Sequence, residues 1–420
     1  MSNTIHITDF EHPVQTPATL QMMEALKGQT IPLDTDSLLY QAQQELDVPL
    51  HVDPDMLQRF QDHIREVLAN GPVHPLGRAG LNRRAVNGIA EVSRMEYLRA
   101  TYPEISRIPI ERPVIVAGMP RSGTTHLLKL LSSDPTLHTL YRWQTYQSFP
   151  TKAMLAGKEV DNRKEVAAEK DAAQDLTLPH NRSLFDVEAS DATEEIEVMA
   201  KGCYGVTPSF QGDVPDFDNQ FYGTDQTAAY QFLYRYLQTV QWCEHYPAGN
   251  RWLLKSPQHL GALTAVQNVF PDACMVFTHR DPASVFTSLA TMIGYVLRMT
   301  YSSTTLKQII DKTLRMQHGF LRGLVRDIGK MTGPVEHVYF DQFMKNKHEA
   351  IERIYRASGI AFDESVEQRI SELEQTHGRG RRGKVVYDLE ADFGLTREQI
   401  RKEFDYYIDR FPVAIEETHQ

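Results

Sequence analysis

The chain has 420 residues, of which 41% are hydrophobic and 24% are charged. A chain of this length and composition can bury a large core, which excludes a disordered protein and a small disulfide-stabilised domain. The 44 Lys and Arg residues against 55 Asp and Glu residues give a net charge of -11. This balance argues against a general nucleic-acid binder, so an anionic ligand would need a local basic pocket.

The cysteines and the apolar stretches indicate the cellular compartment. Cys203, Cys243 and Cys274 lie in unrelated contexts without CxxC spacing, so neither a disulfide framework nor a zinc site is predicted. Residues 1–17 carry acids and prolines where a signal peptide needs a basic and then an apolar stretch. No apolar run approaches the roughly 18 residues that span a bilayer. We therefore expect a cytoplasmic protein without a transmembrane segment.

Residues 1–110 have the pattern of helices separated by proline-containing joints. One predicted helix opens at Pro54, and a second covers residues 86–98 with apolar side chains on one stripe. We expect these residues to form a helical N-terminal extension. It would be attached to a domain that covers residues 111–420.

After residue 111, short β-branched stretches alternate with helical patterns. The predicted strands are residues 112–117, 252–254 and 274–279, and a polar cluster follows each of them. This alternation predicts an α/β fold, with a P-loop-type parallel sheet flanked by helices. Because ligands bind at the carboxyl ends of such strands, the polar clusters are expected to share one site.

The region between the first two predicted strands is mostly helical by pattern. Residues 228–246 are predicted to form a helix with a broad apolar face. Residues 205–223 combine aromatic side chains with Gly, Pro and Asp and follow neither a helical nor a strand period. They are predicted to form a long loop, either a binding lid or a solvated excursion.

The glycine loop, residues 118–125, joins the first predicted strand to an apolar helix. Its two glycines have the separation found in a nucleotide P-loop, in which backbone N–H groups surround a phosphate at a helix N-terminus. However, Thr124 stands where a Walker motif needs lysine, and the cation of the loop is Arg121. This departure disfavours an ordinary ATPase or kinase.

With Pro-Arg-Ser-Gly-Thr-Thr at residues 120–125, the sequence resembles the PAPS-dependent sulfotransferases, in particular their bacterial branch with arginine in this loop. Further matching segments extend over most of residues 112–412. The resemblance implies PAPS as co-substrate, PAP as product and no metal. It also implies the following residues around the 5'-phosphosulfate: Arg121, Ser122, Gly123, Thr124, Thr125 and, at the start of the helix, His126.

The same resemblance suggests residues for the 3'-phosphate. Arg280 and Ser288 have the family's eight-residue spacing after a strand, and a guanidinium can bind a phosphate in bidentate fashion. The basic run at Arg381, Arg382 and Gly383 corresponds to the family's C-terminal basic loop, although it could equally be a solvated turn. Phe340 or Tyr339 is a possible stacking partner for adenine, with core packing as the alternative role. A surface Arg-Asp pair is the alternative for Arg280.

Sulfuryl transfer requires cations on the transferred group and a base for the acceptor hydroxyl. Lys255, at the end of the second strand, resembles the lysine that stabilises the bridging oxygen in the family. Many relatives have a glutamate after a tryptophan downstream of the loop, but this chain has Gln144 there, and an amide is no base. The proton acceptor is therefore predicted to be His259, or else a member of an acidic group comprising Glu188, Asp191, Glu194 and Glu195. Helix capping is the alternative role for Asp191 with Glu194, and a hydrogen-bonded position in the core is the alternative for His259.

Together these features predict an enzyme that moves the sulfuryl group of PAPS to a hydroxyl of a small-molecule or lipid-like acceptor. Two alternatives stay open at the level of the sequence. One is a nucleotide-dependent kinase, and the other is a catalytically silent protein that binds PAP or a related nucleotide. The sequence does not indicate which hydroxyl compound is the acceptor.

Overall fold

The computed structural model describes residues 4–185, 187–376 and 384–417. Within these ranges a five-stranded sheet lies between helices, and two further strands form a separate pair. The strands are β1 (Thr4–His6), β2 (Val114–Gly118), β3 (Leu137–His138), β4 (Arg251–Lys255), β5 (Cys274–His279), β6 (Val335–Tyr339) and β7 (Lys384–Val386).

The helices up to residue 223 are α1 (Pro17–Ala25), α2 (Thr35–Gln44), α3 (Pro54–Ala69), α4 (Pro75–Thr101), α5 (Thr124–Leu131), α6 (Arg142–Tyr146), α7 (Lys152–Leu155), α8 (Arg163–Thr177), α9 (Asn181–Leu184), α10 (Ile196–Met199) and α11 (Pro215–Gly223). Those that follow are α12 (Thr227–Cys243), α13 (Leu263–Val269), α14 (Pro282–Leu297), α15 (Leu306–Asp327), α16 (Phe340–Lys345), α17 (Lys347–Ser358), α18 (Glu364–Thr376), α19 (Leu389–Phe393), α20 (Arg397–Glu403) and α21 (Asp405–Ile408). Short 3-10 turns occupy Pro103–Arg107, Ala200–Gly202, Pro208–Gln211, Pro257–Gly261 and Ile328–Lys330.

The five-stranded sheet has the order β3-β4-β2-β5-β6, and all its neighbouring strands are parallel. Strand β2 lies at the centre and is buried along its whole length, as its run of Val, Ile and Ala requires. Val116 of β2 is in register with Lys255 on one side and with Val276 on the other. The polar clusters after β2, β4 and β5 therefore meet at one edge. The predicted α/β class and parallel sheet are confirmed.

The N-terminal residues form helices, as predicted, and α4 is their longest element. A proline at its first position and the side chain of His74, which accepts from the N–H of Gly77, fix its start. Two glycines allow α4 to pack closely against the backbone of other segments. A Cβ at Gly77 would lie 2.4 Å from the Thr300 carbonyl, and one at Gly88 would lie 2.5 Å from the Lys201 carbonyl. This packing brings α4 next to residues 200–202. The boundary at residue 110 stays a prediction.

The two-stranded pair joins the beginning of the described chain to a segment near residue 385. Strand β1 runs parallel to β7, with Ile5 opposite Val385. The contact is extended by His6, whose Nε2 lies 2.9 Å from Asp392 Oδ1. The N-terminal residues are thus structurally tied to the segment that precedes α19.

The long loop predicted for residues 205–223 is wrong in its second half. This segment contains a 3-10 turn at Pro208–Gln211 and then helix α11. Proline at the first helical position starts α11, and the fully buried Asp218 accepts a hydrogen bond from Arg315 of α15 at 3.0 Å. A distant partner therefore stabilises a helix that is too short to show a period.

None of the helices in the described part of the chain is both long and apolar enough to cross a bilayer.

Candidate active site

The polar ends of β2, β4 and β5 open into one large cavity. Its volume of about 2210 Å³ is more than twice the upper end of the roughly 300–1,000 Å³ typical of a small-ligand pocket. The glycine loop, Lys255 and Arg280 line it at the sheet, and residues 79–87 of α4 line another part of the wall. The cavity therefore has room for two ligands, one against the sheet and one against the N-terminal helices.

The glycine loop has a backbone that only small residues permit at two positions. A Cβ at Gly118 would lie 1.7 Å from Thr278 Oγ1, and Gly123 has a φ of 89°. Arg121 has a φ of 69°, an unfavourable conformation for a residue with a side chain. The loop leads into the N-terminus of α5, where Thr124 and Thr125 line the cavity. The free N–H groups of such a helix end favour an anion.

The side chain of Arg121 connects three separate parts of the chain. Its Nε donates to Ser288 Oγ at 3.0 Å, its Nη1 donates to the Leu184 carbonyl at 2.8 Å, and its Nη2 lies 3.3 Å from the Tyr387 hydroxyl. The structure thus brings together Arg121 and Ser288, which the sequence analysis assigned to opposite ends of one nucleotide. Ser122 has a local role, since its hydroxyl donates to the Met119 carbonyl at 2.6 Å.

Arg280 lies beside Arg121 and already binds an anionic group of the protein itself. Its Nε and Nη2 each donate to a carboxylate oxygen of Glu416 at 2.8 Å, and its Nη1 donates to the Arg121 carbonyl at 2.6 Å. The guanidinium lies over the ring of Phe340, 3.9 Å from the ring centre. Arg280 therefore binds both oxygens of one anionic group in bidentate fashion, a geometry that a phosphate can also adopt.

The segment that contains Glu416 is held by its backbone. The Glu416 N–H donates to Asp281 at 2.9 Å, and its carbonyl accepts from Arg397 at 3.1 Å and from Arg401 at 2.6 Å. Asp281 is completely buried and also accepts from Arg401 at 2.8 Å. The C-terminal segment is therefore fixed against the residues that follow β5.

Lys255 lies between the glycine loop and an acidic residue. Its ammonium donates to Thr125 Oγ1 at 3.3 Å and forms a short ion pair with Glu194. The Lys255 side chain is only 1% exposed, whereas that of Glu194 is 30% exposed and lines the cavity. A cation and a carboxylate that contact each other thus lie beside the N-terminus of α5. Such a pair can stabilise negative charge and accept a proton.

His259 has a different environment from the one that a general base needs. Its side chain is completely buried, Nε2 is paired with Glu195, and Nδ1 lies 2.7 Å from the Tyr230 hydroxyl. Burial, and to a smaller extent the charge of Glu195, raises the pKa of Tyr230 well above its usual value. Glu195 also accepts from the Lys255 N–H at 2.9 Å. Glu195 and His259 thus stabilise the end of β4 on its buried side. Because Glu194 lines the cavity and His259 does not, the geometry favours Glu194 as a proton acceptor.

The other acidic candidates lie farther along the same segment. Glu188 has an exposed side chain, and its N–H donates to Asp191 at 2.9 Å. Asp191 is also paired with Lys129 of α5 at 3.0 Å. Asp191 therefore stabilises a turn and pairs with α5, and it does not cap the helix that follows, which begins at Ile196.

The remaining predicted residues divide into three groups. His126 lines the cavity, and its ring packs against Phe343. Gln144 is completely buried and accepts from the Tyr141 N–H at 2.8 Å, which caps α6. Tyr339 stacks on His279, whereas Phe340 lines the cavity. Arg381, Arg382 and Gly383 lie outside the described residues.

Several residues of the site were not found from the sequence. Glu416 is 136 positions from Arg280, and no local pattern links the two. Arg83 and Arg84 of α4 line the cavity together with Gly80 and Asn87. These positions of α4 have helical spacing and could have been recognised from the sequence. The contact of Glu416 with Arg280 could not.

Comparisons with known proteins agree on one family. A sequence model described as "Sulfotransferase family" matches residues 113–364. Among solved structures, sulfotransferase STF9 from Mycobacterium avium is 22% identical with a TM-score of 0.76, covering 92% of this chain and 98% of that one. Sulfotransferase STF1 from Mycobacterium tuberculosis H37Rv is 20% identical with a TM-score of 0.72, covering 88% and 98%. At this identity the two structures support the fold, and no curated protein matches the chain significantly.

Proposed function

The chain belongs to the sulfotransferase family, and on that premise we propose that it transfers a sulfuryl group from PAPS to a hydroxyl of a small-molecule or lipid-like acceptor. One observation carries the proposal. The Lys255 ammonium contacts Thr125 at the start of α5 and Glu194 in the cavity wall. Lys255 therefore contacts both the turn that would bind phosphate and the carboxylate that would accept a proton. Transfer to a hydroxyl requires these three groups close together.

The residues around the cavity suit a nucleotide with phosphate at both its 5' and 3' positions. The glycine loop and Arg121 would hold the 5' end, while Arg280 and Ser288 would hold the 3'-phosphate. The bidentate contact of Arg280 with the Glu416 carboxylate supports this assignment, because a phosphate presents the same pair of oxygens. Arg381, Arg382 and Gly383 remain proposed contributors to the 3'-phosphate site.

PAPS, when bound, supplies the sulfuryl group: the acceptor oxygen bonds to sulfur, the bond from sulfur to the phosphate oxygen breaks, and PAP leaves with that electron pair. In this step Lys255 stabilises the negative charge that develops on the phosphate oxygen. Glu194 takes the proton that the acceptor hydroxyl loses. Because Lys255 and Glu194 neutralise each other in the free protein, neither charge is left unpaired in the cavity before ligands enter.

The test combines binding with turnover. Calorimetry should detect binding of PAP in preference to ATP, and radiolabelled PAPS should transfer its label to a member of a panel of steroids, phenols, glycolipids and alcohols. Lys255→Met should abolish the transfer while PAP still binds, and Lys158→Met, a change at an exposed lysine, should leave both unchanged. ATP-dependent phosphoryl transfer would instead support a kinase. PAP binding without transfer to any acceptor would support a catalytically silent protein.

A further inference from the structure

The part of the cavity wall away from the glycine loop contains several cationic residues that the proposed transfer does not use. Arg83 and Arg142 are paired with Glu45 and Asp171, whereas Arg84 and Lys201 have no carboxylate within hydrogen-bond distance among the residues described. Arg84 lies on α4, and Lys201 lies in the 3-10 turn that continues α10. Both line the cavity, as does Glu197 one helical turn before Lys201. The contact of α4 with residues 200–202 at Gly88 brings these elements together.

Lys201 is a cation without a partner of its own. Within the described ranges of the chain, no residue accepts a hydrogen bond from its ammonium, and its side chain is only partly exposed. Burial lowers the pKa of Lys201, and the nearby charges of Arg84 and Lys170 lower this pKa further, while Glu91 and Glu197 raise it. An additional negative charge at this position would stabilise the ammonium.

Arg84 is also incompletely paired. Its Nη1 lies 3.8 Å from Glu197, which is longer than a hydrogen bond, and its Nε is buried without a partner among the residues described. Glu91, the other carboxylate near Lys201, is already used by the Ser148 N–H at 3.0 Å and by Arg94 at 3.3 Å. The two cations therefore share little more than the carboxylate of Glu197, and unused donors remain on both.

From this geometry we propose that Arg84 and Lys201 bind an anionic group of the acceptor, so that the preferred acceptors are hydroxyl compounds with a carboxylate, phosphate or sulfate. The inference rests on the proposed function, since it assigns the substrate class of the same cavity. It also accounts for two cations in the wall of a protein whose overall charge is negative.

The position of the two cations sets the length of the acceptor. Glu195 contacts the end of β4 at Lys255, and six residues of helical backbone lead from there to Lys201. This separation corresponds to a rise of about 10 Å. Ile196 and Ala200 line the cavity between the two points. The acceptor is therefore an amphiphile whose hydroxyl and anionic group are separated by an apolar spacer of about that length.

Matched acceptors test the proposal. An ω-hydroxydecanoate has a hydroxyl and a carboxylate at the required separation, and decanediol is its neutral counterpart. The ω-hydroxydecyl phosphate and sulfate distinguish the three kinds of anion. In the wild type, kcat/KM should be at least about tenfold higher for the best anionic acceptor than for decanediol, as charge-assisted hydrogen bonds imply.

Variants then assign the preference to the two residues. Lys201→Met and Arg84→Met should each bring the ratio of kcat/KM close to one, mainly through KM, and Lys201→Arg should retain it. Lys158→Met, at an exposed lysine, is the matched control and should keep the wild-type ratio. A wild type without preference, or a preference that persists in both methionine variants, overturns the proposal.

A binding measurement separates this inference from the proposed function. Affinities of the same four compounds for the PAP-bound protein, measured by calorimetry, decide the anion site even where no sulfuryl transfer is detected. Stronger binding of an anionic compound that Lys201→Met removes supports the site, and equal binding of all four overturns it. Absence of transfer in that setting counts against the proposed function alone.

Discussion

Glu194 and His259 differ most clearly in their access to the cavity. The side chain of Glu194 is 30% exposed, whereas His259 has no exposed surface and is bounded by Glu195 and Tyr230. The sequence identified His259 because it follows Lys255 by one turn, and Glu194 because its acidic segment resembles one in the bacterial sulfotransferases. It could not separate them, since the burial of His259 depends on α12, which contains Tyr230, and on a glutamate 64 positions away.

The first prediction concerns these two residues. Glu194→Gln should lower kcat by two to four orders of magnitude, as loss of a general base typically does, with little change in PAP affinity. Steady-state kinetics together with calorimetry would measure both quantities. His259→Gln should act differently, because it disturbs the support of Lys255 and should lower thermal stability along with activity. A fully active Glu194→Gln variant would exclude this residue as the base.

A second prediction at this scale concerns the recognition of the 3'-phosphate. Loss of two charge-assisted hydrogen bonds corresponds to about 3 kcal/mol. PAP should therefore bind more tightly than the same nucleotide without its 3'-phosphate, and Arg280→Ala should remove most of that difference. Titration calorimetry of both nucleotides with both proteins gives the four affinities needed. Equal affinity of the wild type for the two nucleotides would contradict the assignment.

At the scale of elements, the segment of residues 205–223 illustrates where sequence patterns stop being informative. Strands β2, β4 and β5 were predictable because each is a compact apolar run followed by a polar cluster, whereas β3 has only two residues and shows no pattern. Helix α11 has nine residues, and its buried positions include Asp218, whose partners Arg315 and Lys312 are on α15. Because an aspartate occupies a buried position, the apolar residues of this segment do not recur at helical spacing. The helix is therefore recognised only from its tertiary contacts.

His63 of α3 holds the same segment and provides a third prediction. Its Nε2 lies 2.8 Å from the Pro208 carbonyl, and its burial lowers its pKa from 6.5 to about 4. Between these values the unfolded chain binds more protons than the folded one, so the free energy of unfolding falls as pH decreases from 6.5 towards 4. At about pH 4, His63 is expected to have lowered the free energy of unfolding by about 3 kcal/mol.

Urea unfolding at several pH values would measure this effect. His63→Gln removes the titrating group and keeps an amide that can bond to the Pro208 carbonyl. The variant should show a smaller loss of stability between pH 7 and pH 4 than the wild type does. If the free energy of unfolding changes equally with pH in both proteins, protonation of His63 does not destabilise the fold. Other groups would then cause the acid sensitivity.

At the scale of the whole molecule, the first described residues meet a segment near residue 385 beside the candidate site. Strand β1 pairs with β7, and the residue after β7, Tyr387, lies against Arg121. The sequence predicted neither β1 nor β7, because three-residue strands carry almost no periodic pattern, and so it could not predict their pairing. The N-terminal residues thus contribute to the position of a residue that contacts the glycine loop.

The fourth prediction follows from this pairing. Ile5 is buried opposite Val385, so Ile5→Asp should release β1, speed amide exchange across β7 and weaken PAP binding severalfold. Exchange measured by mass spectrometry and PAP affinity measured by calorimetry would test both effects. Val14→Asp introduces the same charge at an exposed position of the N-terminal segment and should change neither. Unchanged PAP affinity in Ile5→Asp would separate the terminal pairing from the site.

If Arg280 holds the 3'-phosphate as proposed, its ion pair with Glu416 makes the C-terminal segment an intramolecular competitor of the nucleotide. A nucleotide must displace a carboxylate whose effective concentration is on the order of millimolar, so the observed affinity is the intrinsic affinity multiplied by the fraction of molecules with Arg280 vacant. Glu416→Gln should then bind PAP several times more tightly. The same carboxylate can return to Arg280 as PAP departs. Compared with Glu416→Gln, the wild type should therefore have a lower affinity for PAP and a higher rate of PAP dissociation.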